Sequence, residues 1–207
     1  ATAQTGTGKT AAFGIPLLQL TDTNSNKIQT LILCPTRELC LQIGKDLSTY
    51  SKYLKNINTI SVYGGAKIDK QIRSLKKGPQ IIVGTPGRTK DLIKRKKLFL
   101  GNIKQLVLDE SDEMLSMGFK DDLEFIIKSA SKEKQILLFS ATMNSKVNAV
   151  TKKYMKNPLE ISVASVNRAA ENVDHLFYVV KARDRYEVVK RVADMNPNIY
   201  GIVFCRT

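Results

Sequence analysis

The chain has 207 residues, of which 43% are hydrophobic and 25% charged, enough for one or two globular domains with a sizeable core. Lysine and arginine outnumber aspartate and glutamate by 33 to 19, a formal net charge of +14. This excess favours a polyanionic partner, with nucleic acid first, and a merely solubilising surface as the alternative. No apolar run approaches the roughly 20 residues that span a bilayer, so we expect no membrane partner.

Cysteine and histidine usage argues against zinc and disulfide frameworks. The three cysteines, Cys34, Cys40 and Cys205, form no C-x-x-C pair, and His175 is the single histidine of the sequence. Free thiols fit a reducing compartment, and we therefore predict a cytoplasmic location.

The first motif, A-Q-T-G-T-G-K-T at residues 3–10, is close to the phosphate-loop pattern G-x-x-x-x-G-K-[ST]. In that pattern backbone N–H groups hold a phosphate, the lysine reaches the terminal phosphates and the hydroxyl meets magnesium. Ala3 replaces the usual first glycine, and a plain turn before a helix is the alternative. The predicted nucleotide-binding residues are Thr5, Gly6, Thr7, Gly8, Lys9 and Thr10.

The sequence starts without Met and almost at the phosphate loop, so we expect it to be part of a longer protein. A strand normally leads into such a loop. Because loss of a central strand would leave backbone groups unpaired, we expect the isolated fragment to be poorly soluble or partly unfolded.

Short apolar runs alternate with helical patterns along the chain, which is typical of α/β proteins. The runs are nearly continuous rather than alternating, as in strands of a parallel sheet covered by helices on both faces. After Pro35, Leu39, Ile43, Leu47 and Leu54 predict an amphipathic helix. The predicted strands are residues 31–34, 81–83, 106–108, 136–139 and 202–205.

A small, polar stretch divides the chain into two predicted domains. We expect a first domain at residues 1–156, a short strand and linker at 157–172, and the beginning of a second α/β domain at 173–207. In the second domain, H-L-F-Y-V-V predicts a strand, residues 183–195 a helix, and Y-G-I-V-F-C another strand.

A second motif, L-V-L-D-E-S-D at residues 106–112, ends an apolar strand in a group of carboxylates that favours a cation. Thr10 and Asp109 are predicted to place Mg²⁺ directly or through water, Lys9 to hold phosphate, and Glu110 to orient or deprotonate water. Asp112 is predicted to support these residues without contacting the phosphate or the cation itself. The alternative is an ordinary helix N-terminus, where acids are favoured.

Several motifs in this order resemble those of the DEAD-box ATP-dependent RNA helicases, over nearly the full length. The family's motif I habitually begins with Ala, as at Ala3, and D-E-S-D is similar to the naming D-E-A-D, with Ser111 at a position that we expect to tolerate the change. S-A-T at 140–142 resembles the segment that couples nucleotide state to lobe arrangement, which implies coupling roles for Ser140 and Thr142. The final I-V-F-C-R-T resembles the first strand motif of lobe two.

The resemblance implies two RecA-like lobes, with ATP as substrate, Mg²⁺ as cofactor and RNA as partner. Three further motifs resemble the family's RNA-contacting segments, and each follows an apolar run, so we expect them at one edge of the sheet. Helix entries and turns are the alternative interpretation. The implied RNA-binding residues are Pro35, Thr36, Arg37, Gly64, Gly65, Thr85, Pro86, Gly87 and Arg88.

The resemblance further implies an ATP hydrolase that separates RNA strands, monomeric in this region. The family's arginine finger lies late in lobe two, outside this sequence, so we expect the fragment alone to be weakly active or inactive. Two alternatives remain open: a nucleotide-gated RNA clamp that does not unwind, and a DNA-directed motor.

Overall fold

The computed structural model describes residues 1–2, 8–162 and 176–205. Its contacts divide the chain into two units, Ala1–Val166 and Asn167–Thr207, and each is described by itself.

The first unit contains five strands and seven helices within its described residues. The strands are β1 Thr30–Leu33, β2 Thr59–Val62, β3 Ile81–Gly84, β4 Gln105–Leu108 and β5 Gln135–Leu138. The helices are α1 Lys9–Leu20, α2 Arg37–Tyr50, α3 Ile68–Leu75, α4 Pro86–Lys94, α5 Ser111–Ser116, α6 Lys120–Ser129 and α7 Ser145–Tyr154.

The five strands form one sheet in the order β2-β3-β1-β4-β5, and every neighbouring pair is parallel. The strands are also in register, because Thr30 at the start of β1 pairs with both Ile81 and Gln105. All carboxyl ends therefore lie at one edge of the sheet and all amino ends at the other. The predicted parallel sheet is confirmed.

Helices cover both faces of the sheet, which explains the continuous apolar strands. Ile32 points into one core, where Phe13 of α1 and Ile43 of α2 pack. Leu31 points into the opposite core, where Leu92 of α4 packs, together with residues of α6 and α7. The three central strands, β3, β1 and β4, thus bury side chains on both sides.

Two helices begin where their sequences predict. The Thr36 side chain caps α2 by accepting a hydrogen bond from the Leu39 N–H at 3.2 Å. Pro86 occupies the first turn of α4, where its missing N–H is not needed.

Two local predictions in this unit were wrong. Strand β2 was missed, because its sequence T-I-S-V alternates with polar residues and lies at the sheet edge, where most of it is only half-buried. Helix α2 ends at Tyr50, so Leu54 lies beyond it and is 47% exposed.

The second unit contains one α-helix in its described part, α8 Arg185–Met195, which a 3₁₀ turn at Ala182–Asp184 precedes. This confirms the predicted helix. The two strands predicted on either side of it are not formed over the described residues 176–180 and 201–205. Phe177 and Phe204 there are 87% and 91% exposed, and apolar residues form a strand only where another strand accepts their backbone hydrogen bonds.

Residues 157–172 were predicted to form a short strand and a linker, and the structure describes residues 157–162 of this range. There Ser162 forms a parallel β-bridge with Thr2. His175 and residues 163–174 lie outside the described residues. Across the helices of the described ranges, none is both long and apolar enough to cross a bilayer.

Candidate functional site

Five loops carry the predicted site residues, and each loop follows the carboxyl end of a strand. We call this side of the sheet the carboxyl edge; it comprises residues 35–38, 63–69, 85–91, 109–113 and 140–146. The expectation that these motifs share one edge of the sheet is confirmed. In parallel α/β sheets, ligands bind outside the carboxyl ends of the strands.

The described residues on either side of residues 3–7 lie at the same edge. Ser140 donates its N–H to the Ala1 carbonyl at 3.2 Å, which places Ala1 beside the end of β5, and Lys9 lies close to Asp109. Gly8 has φ of 83°, a left-handed conformation that favours glycine, and Lys9 begins α1 directly after it. Thr5, Gly6 and Thr7 lie outside the described residues.

The Lys9 ammonium is buried, and the described part of the chain offers it no hydrogen-bond partner. It lies close enough to Asp109 to lower the pKa of that carboxyl. A buried cation without a hydrogen bond costs free energy. An anionic ligand would lower this cost, because it would supply both a negative charge and acceptor oxygens.

Asp109 follows β4 and is 3% exposed. Burial raises the pKa of Asp109 to about 6, even though the Lys9 charge opposes the shift. The negative charge of Glu110 adds to the rise, while the Glu110 N–H, donated to Asp109 Oδ1 at 3.1 Å, lowers it. The Lys9 charge thus only partly compensates for the burial of the Asp109 carboxyl. A bound cation would favour its ionised form and lower its pKa.

We expect Asp109→Asn to stabilise the protein in the absence of nucleotide and divalent cations. The folded pKa near 6 lies above the usual 3.8, so the wild type loses stability as the pH rises from about 4 to about 6, and the full loss persists at higher pH. The neutral amide avoids a cost on the order of 3 kcal/mol at pH 8, and the advantage should vanish below about pH 4. Melting temperatures of the variant and the wild type at pH 5 and 8 test this. Asp194→Asn, at an exposed position, is the control, and a pH-independent difference would contradict the explanation.

Glu110 adopts a left-handed backbone conformation, with φ of 49° and ψ of 50°. Such a conformation is strained for a residue with a side chain and is often found at functional sites. The turn is fixed by Ser111, which donates both its N–H and its hydroxyl to the Phe139 carbonyl. The serine that replaces the family's usual alanine is therefore buried with its hydroxyl satisfied.

Asp112 connects the β4 loop to the β5 loop. Its Oδ2 accepts hydrogen bonds from the N–H and the hydroxyl of Thr142 at 2.9 and 2.8 Å. Ser140 donates its hydroxyl to the Thr142 carbonyl at 2.7 Å. Burial alone would raise the pKa of Asp112, but the hydrogen bonds that Thr142 donates help to outweigh it and hold that pKa below its usual value. The sequence motifs D-E-S-D and S-A-T are thus joined directly.

The residues predicted to contact RNA lie on the β2, β3 and β1 side of the carboxyl edge. Pro35, Thr85 and Pro86 are buried, which limits them to shaping their loops in this structure. Thr36 is half-buried and caps α2. The exposed members are Arg37, Gly64, Gly65 and Gly87.

The two predicted RNA-binding arginines have different surroundings. Arg37 is exposed, and its guanidinium lies 5.2 Å from the centre of the Tyr63 ring. Arg88 is half-buried and donates from both terminal nitrogens to the Ala66 carbonyl, and from Nη1 to Gln71 Oε1 at 3.0 Å. Arg88 therefore holds the loop that contains Gly64 and Gly65.

Gln71 was missed by the sequence reasoning. It is buried, accepts from Arg88 and donates to the Tyr63 carbonyl at 3.0 Å, so it fixes both ends of the same loop. A single polar residue inside an apolar helix face was its only signal in the sequence.

No group of three or more His, Cys, Asp or Glu residues is placed to hold a metal within the described ranges.

A five-stranded parallel sheet with helices on both faces, in which Lys9 lies close to the acid that follows β4, is typical of RecA-like α/β domains. The sequence profile of the DEAD/DEAH box helicases matches residues 1–150. The chain belongs to this DEAD/DEAH box helicase family.

Similar proteins support this assignment. The chain is 46% identical over 205 residues to the ATP-dependent RNA helicase CshA of Listeria monocytogenes, and 44% identical to DEAD-box ATP-dependent RNA helicase CshA of Bacillus cereus. In both alignments, 99% of this chain covers 39% of the relative. This chain thus spans about two fifths of the length of these curated relatives.

Solved structures agree in fold. A DEAD box protein from the hyperthermophile Methanococcus jannaschii superimposes with a TM-score of 0.75 at 43% identity, over 100% of this chain and 55% of that one. A hypothetical ATP-dependent RNA helicase from Sulfolobus tokodaii gives 0.70 at 35% identity, over 77% of this chain and 46% of that one.

Proposed function

We propose that this chain forms the nucleotide-binding part of an ATP-dependent RNA helicase, which hydrolyses ATP and uses the cycle to bind RNA and open short duplexes. The observation that carries the proposal is the buried Lys9 ammonium, which lies near Asp109 without a hydrogen-bond partner among the described residues. The names of the similar proteins support ATP and RNA as the ligands.

Lys9 would hold the terminal phosphates of ATP, and the N-terminus of α1 would add its unpaired N–H groups. Thr5, Gly6, Thr7 and Gly8 would surround the same phosphates with backbone donors. This part of the proposal rests on the loop sequence and on the position of Lys9, because residues 3–7 lie outside the described residues.

Mg²⁺ would be held by the Thr10 hydroxyl and the Asp109 carboxylate. The buried carboxyl with a raised pKa supports this placement, since a cation would favour its ionised form. When bound, Mg²⁺ would neutralise charge on the phosphate oxygens.

Glu110 would orient the attacking water and accept its proton. Its backbone is fixed by the Ser111 hydrogen bonds to Phe139, so the carboxylate starts from a rigid turn beside Asp109. Asp112 would transmit the state of this turn to the β5 loop through its two hydrogen bonds with Thr142. Ser140 would steady Thr142 from the other side.

RNA would lie along the exposed glycines and Arg37, where backbone N–H groups and the guanidinium face solvent. Contacts of this kind grip sugar and phosphate and carry no base information, so binding would tolerate many sequences. Thr36, Thr85, Pro35 and Pro86 would shape these loops, while Arg88 and Gln71 would hold the Gly64–Gly65 turn in place.

We expect Arg37→Ala and Gln71→Leu to weaken RNA binding in different ways. Loss of one phosphate contact at Arg37 should lower the slope of log affinity against log salt by about 0.7. Gln71→Leu should lower affinity and leave the slope unchanged, because Gln71 only positions the loop. Fluorescence anisotropy of a labelled single strand at several salt concentrations measures both, and an equal slope change in the two variants would contradict this division.

The test of the proposed function uses the full-length protein and three nucleic acids. ATP hydrolysis should rise with single-stranded RNA, and a short RNA duplex should separate in the presence of ATP. Stimulation by duplex DNA with no response to RNA would indicate a DNA-directed motor. RNA-stimulated hydrolysis without strand separation would indicate a clamp.

A cytoplasmic location and a monomeric state are also part of the proposal. Cys34, Cys40 and Cys205 are free thiols, which suits a reducing compartment. Sedimentation of the full-length protein tests the monomeric state.

A further inference from the structure

The positive charge of this chain is concentrated at the edge of the sheet opposite the predicted site. We call this side the amino edge; it comprises the loops and helix ends before the five strands, residues 22–29, 51–58, 74–80, 94–104 and 128–134. These segments carry 13 lysine and arginine residues against the two acids Asp22 and Glu133, a net charge of +11 out of +14. The carboxyl edge has a net charge of −2.

The segments of the amino edge form one continuous surface. Backbone hydrogen bonds join them in spatial order: Gln80 N–H to Asn58 O, Gln29 N–H to Gln80 O, Lys104 N–H to Gln29 O, and Ser131 N–H to Leu100 O. Five neighbouring strands at about 4.8 Å spacing give a strip roughly 19 Å long. The charges therefore lie on a rigid base rather than on separate tails.

Helix ends explain only part of this charge. Cations are favoured in the last turn of a helix, as at Lys94 and Lys128. Lys96, Lys97 and Lys104, however, lie exposed in the loop between α4 and β4. A surface built only to satisfy helix ends would not need them.

The amino edge also presents aromatic rings. Phe99 is 68% exposed, while its neighbours Leu98 and Leu100 are 2% and 3% exposed and anchor the loop in the core. Tyr53 is 87% exposed, with the Lys52 ammonium 5.3 Å from the centre of its ring. Exposed rings among lysines are typical of surfaces that bind single-stranded nucleic acid, because bases stack on them while phosphates meet the cations.

We propose that the amino edge is a second RNA-binding surface, which takes single-stranded RNA through its lysines and through stacking on Phe99 and Tyr53. The inference rests on the proposed function, which makes RNA the polyanion in question. In this proposal the amino edge attracts RNA over a long range through its positive charge. The carboxyl edge binds RNA in a manner that depends on the bound nucleotide. A strand longer than the carboxyl edge can hold would occupy both.

The test replaces Lys76, Lys77, Lys96 and Lys97 by glutamine in the full-length protein. A matched control replaces four exposed lysines of the first unit that lie outside the segments of both edges, Lys45, Lys70, Lys120 and Lys152. We expect the first variant to bind 40-nucleotide poly(U) at least tenfold more weakly, with a salt slope lower by about 2 to 3, since each phosphate contact contributes about 0.7. Binding of an eight-nucleotide RNA in the presence of ATP should not change.

A spectroscopic readout separates stacking from charge. Phe99→Trp introduces a tryptophan at this edge, and poly(U) should quench the fluorescence that the variant gains over the wild type. Ile15→Trp, at an exposed position of α1, should not be quenched. Phe99→Ala should weaken poly(U) binding by about tenfold.

Three outcomes would overturn the proposal. The first is equal loss of poly(U) binding in the test and control variants. The second is unchanged RNA binding together with weaker binding to anionic phospholipid vesicles, which would assign the surface to a membrane. The third is loss of duplex RNA binding alone. If the wild type binds no RNA, the proposed function itself fails, so the two failures are distinguishable.

Discussion

Replacing Lys9 by alanine should abolish ATP hydrolysis and weaken ATP binding by about 10- to 160-fold. A charge-assisted hydrogen bond contributes about 1.5 to 3 kcal/mol, and we attribute one such bond to this ammonium. Isothermal titration calorimetry of the full-length protein with ATP measures the change in affinity directly.

The same variant should not be less stable without nucleotide. The Lys9 ammonium is buried and lacks a hydrogen-bond partner in the described part of the chain, so its removal relieves a desolvation cost that offsets the lost attraction to Asp109. We therefore expect an equal or higher melting temperature for Lys9→Ala in nucleotide-free buffer, with exposed Lys45→Ala as the control. A large fall in melting temperature would show that lost ATP binding reflects unfolding, and would contradict this explanation.

Replacing Glu110 by glutamine should separate binding from turnover. Hydrolysis should fall by about 10²- to 10⁴-fold, because the amide cannot accept the proton of the attacking water. ATP affinity should be retained, since Lys9 and Asp109 are unchanged. RNA bound in the presence of ATP should dissociate more slowly, because hydrolysis no longer ends the ATP-bound state.

Glu113 provides a close control for this prediction. It is exposed on α5, in the turn after Glu110, and Glu113→Gln removes the same charge at a short distance. Single-turnover hydrolysis and RNA dissociation rates should match the wild type in that variant. A similar loss in both variants would assign the effect to overall charge and not to a water-activating carboxylate.

The sequence predicted the features that depend on local patterns. Continuous apolar runs located β1, β3, β4 and β5, since strands covered on both faces need them. The common edge of the motifs followed from the parallel arrangement. Strand β2 was missed because an edge strand is half-buried and its polar alternation hides it.

Features that depend on three-dimensional neighbours could not be predicted in the same way. The hydrogen bonds between Asp112 and Thr142 join residues 30 positions apart, and they exist because β4 and β5 are adjacent. Arg88 carries the charge expected of a phosphate contact, but its guanidinium donates to Ala66 and Gln71. The strand predicted at residues 202–205 lacks a partner in the described residues, although its composition favours one.

The central claim is that a triphosphate lies between Lys9 and the pair formed by Asp109 and Glu110. A crystal structure of the full-length protein with Mg²⁺ and a non-hydrolysable ATP analogue tests it most directly. We expect Lys9 Nζ within about 3 Å of phosphate oxygens and the Asp109 carboxylate on the cation or on its bound water. A well-ordered nucleotide bound elsewhere, with Lys9 Nζ still without an anionic partner, would contradict the claim.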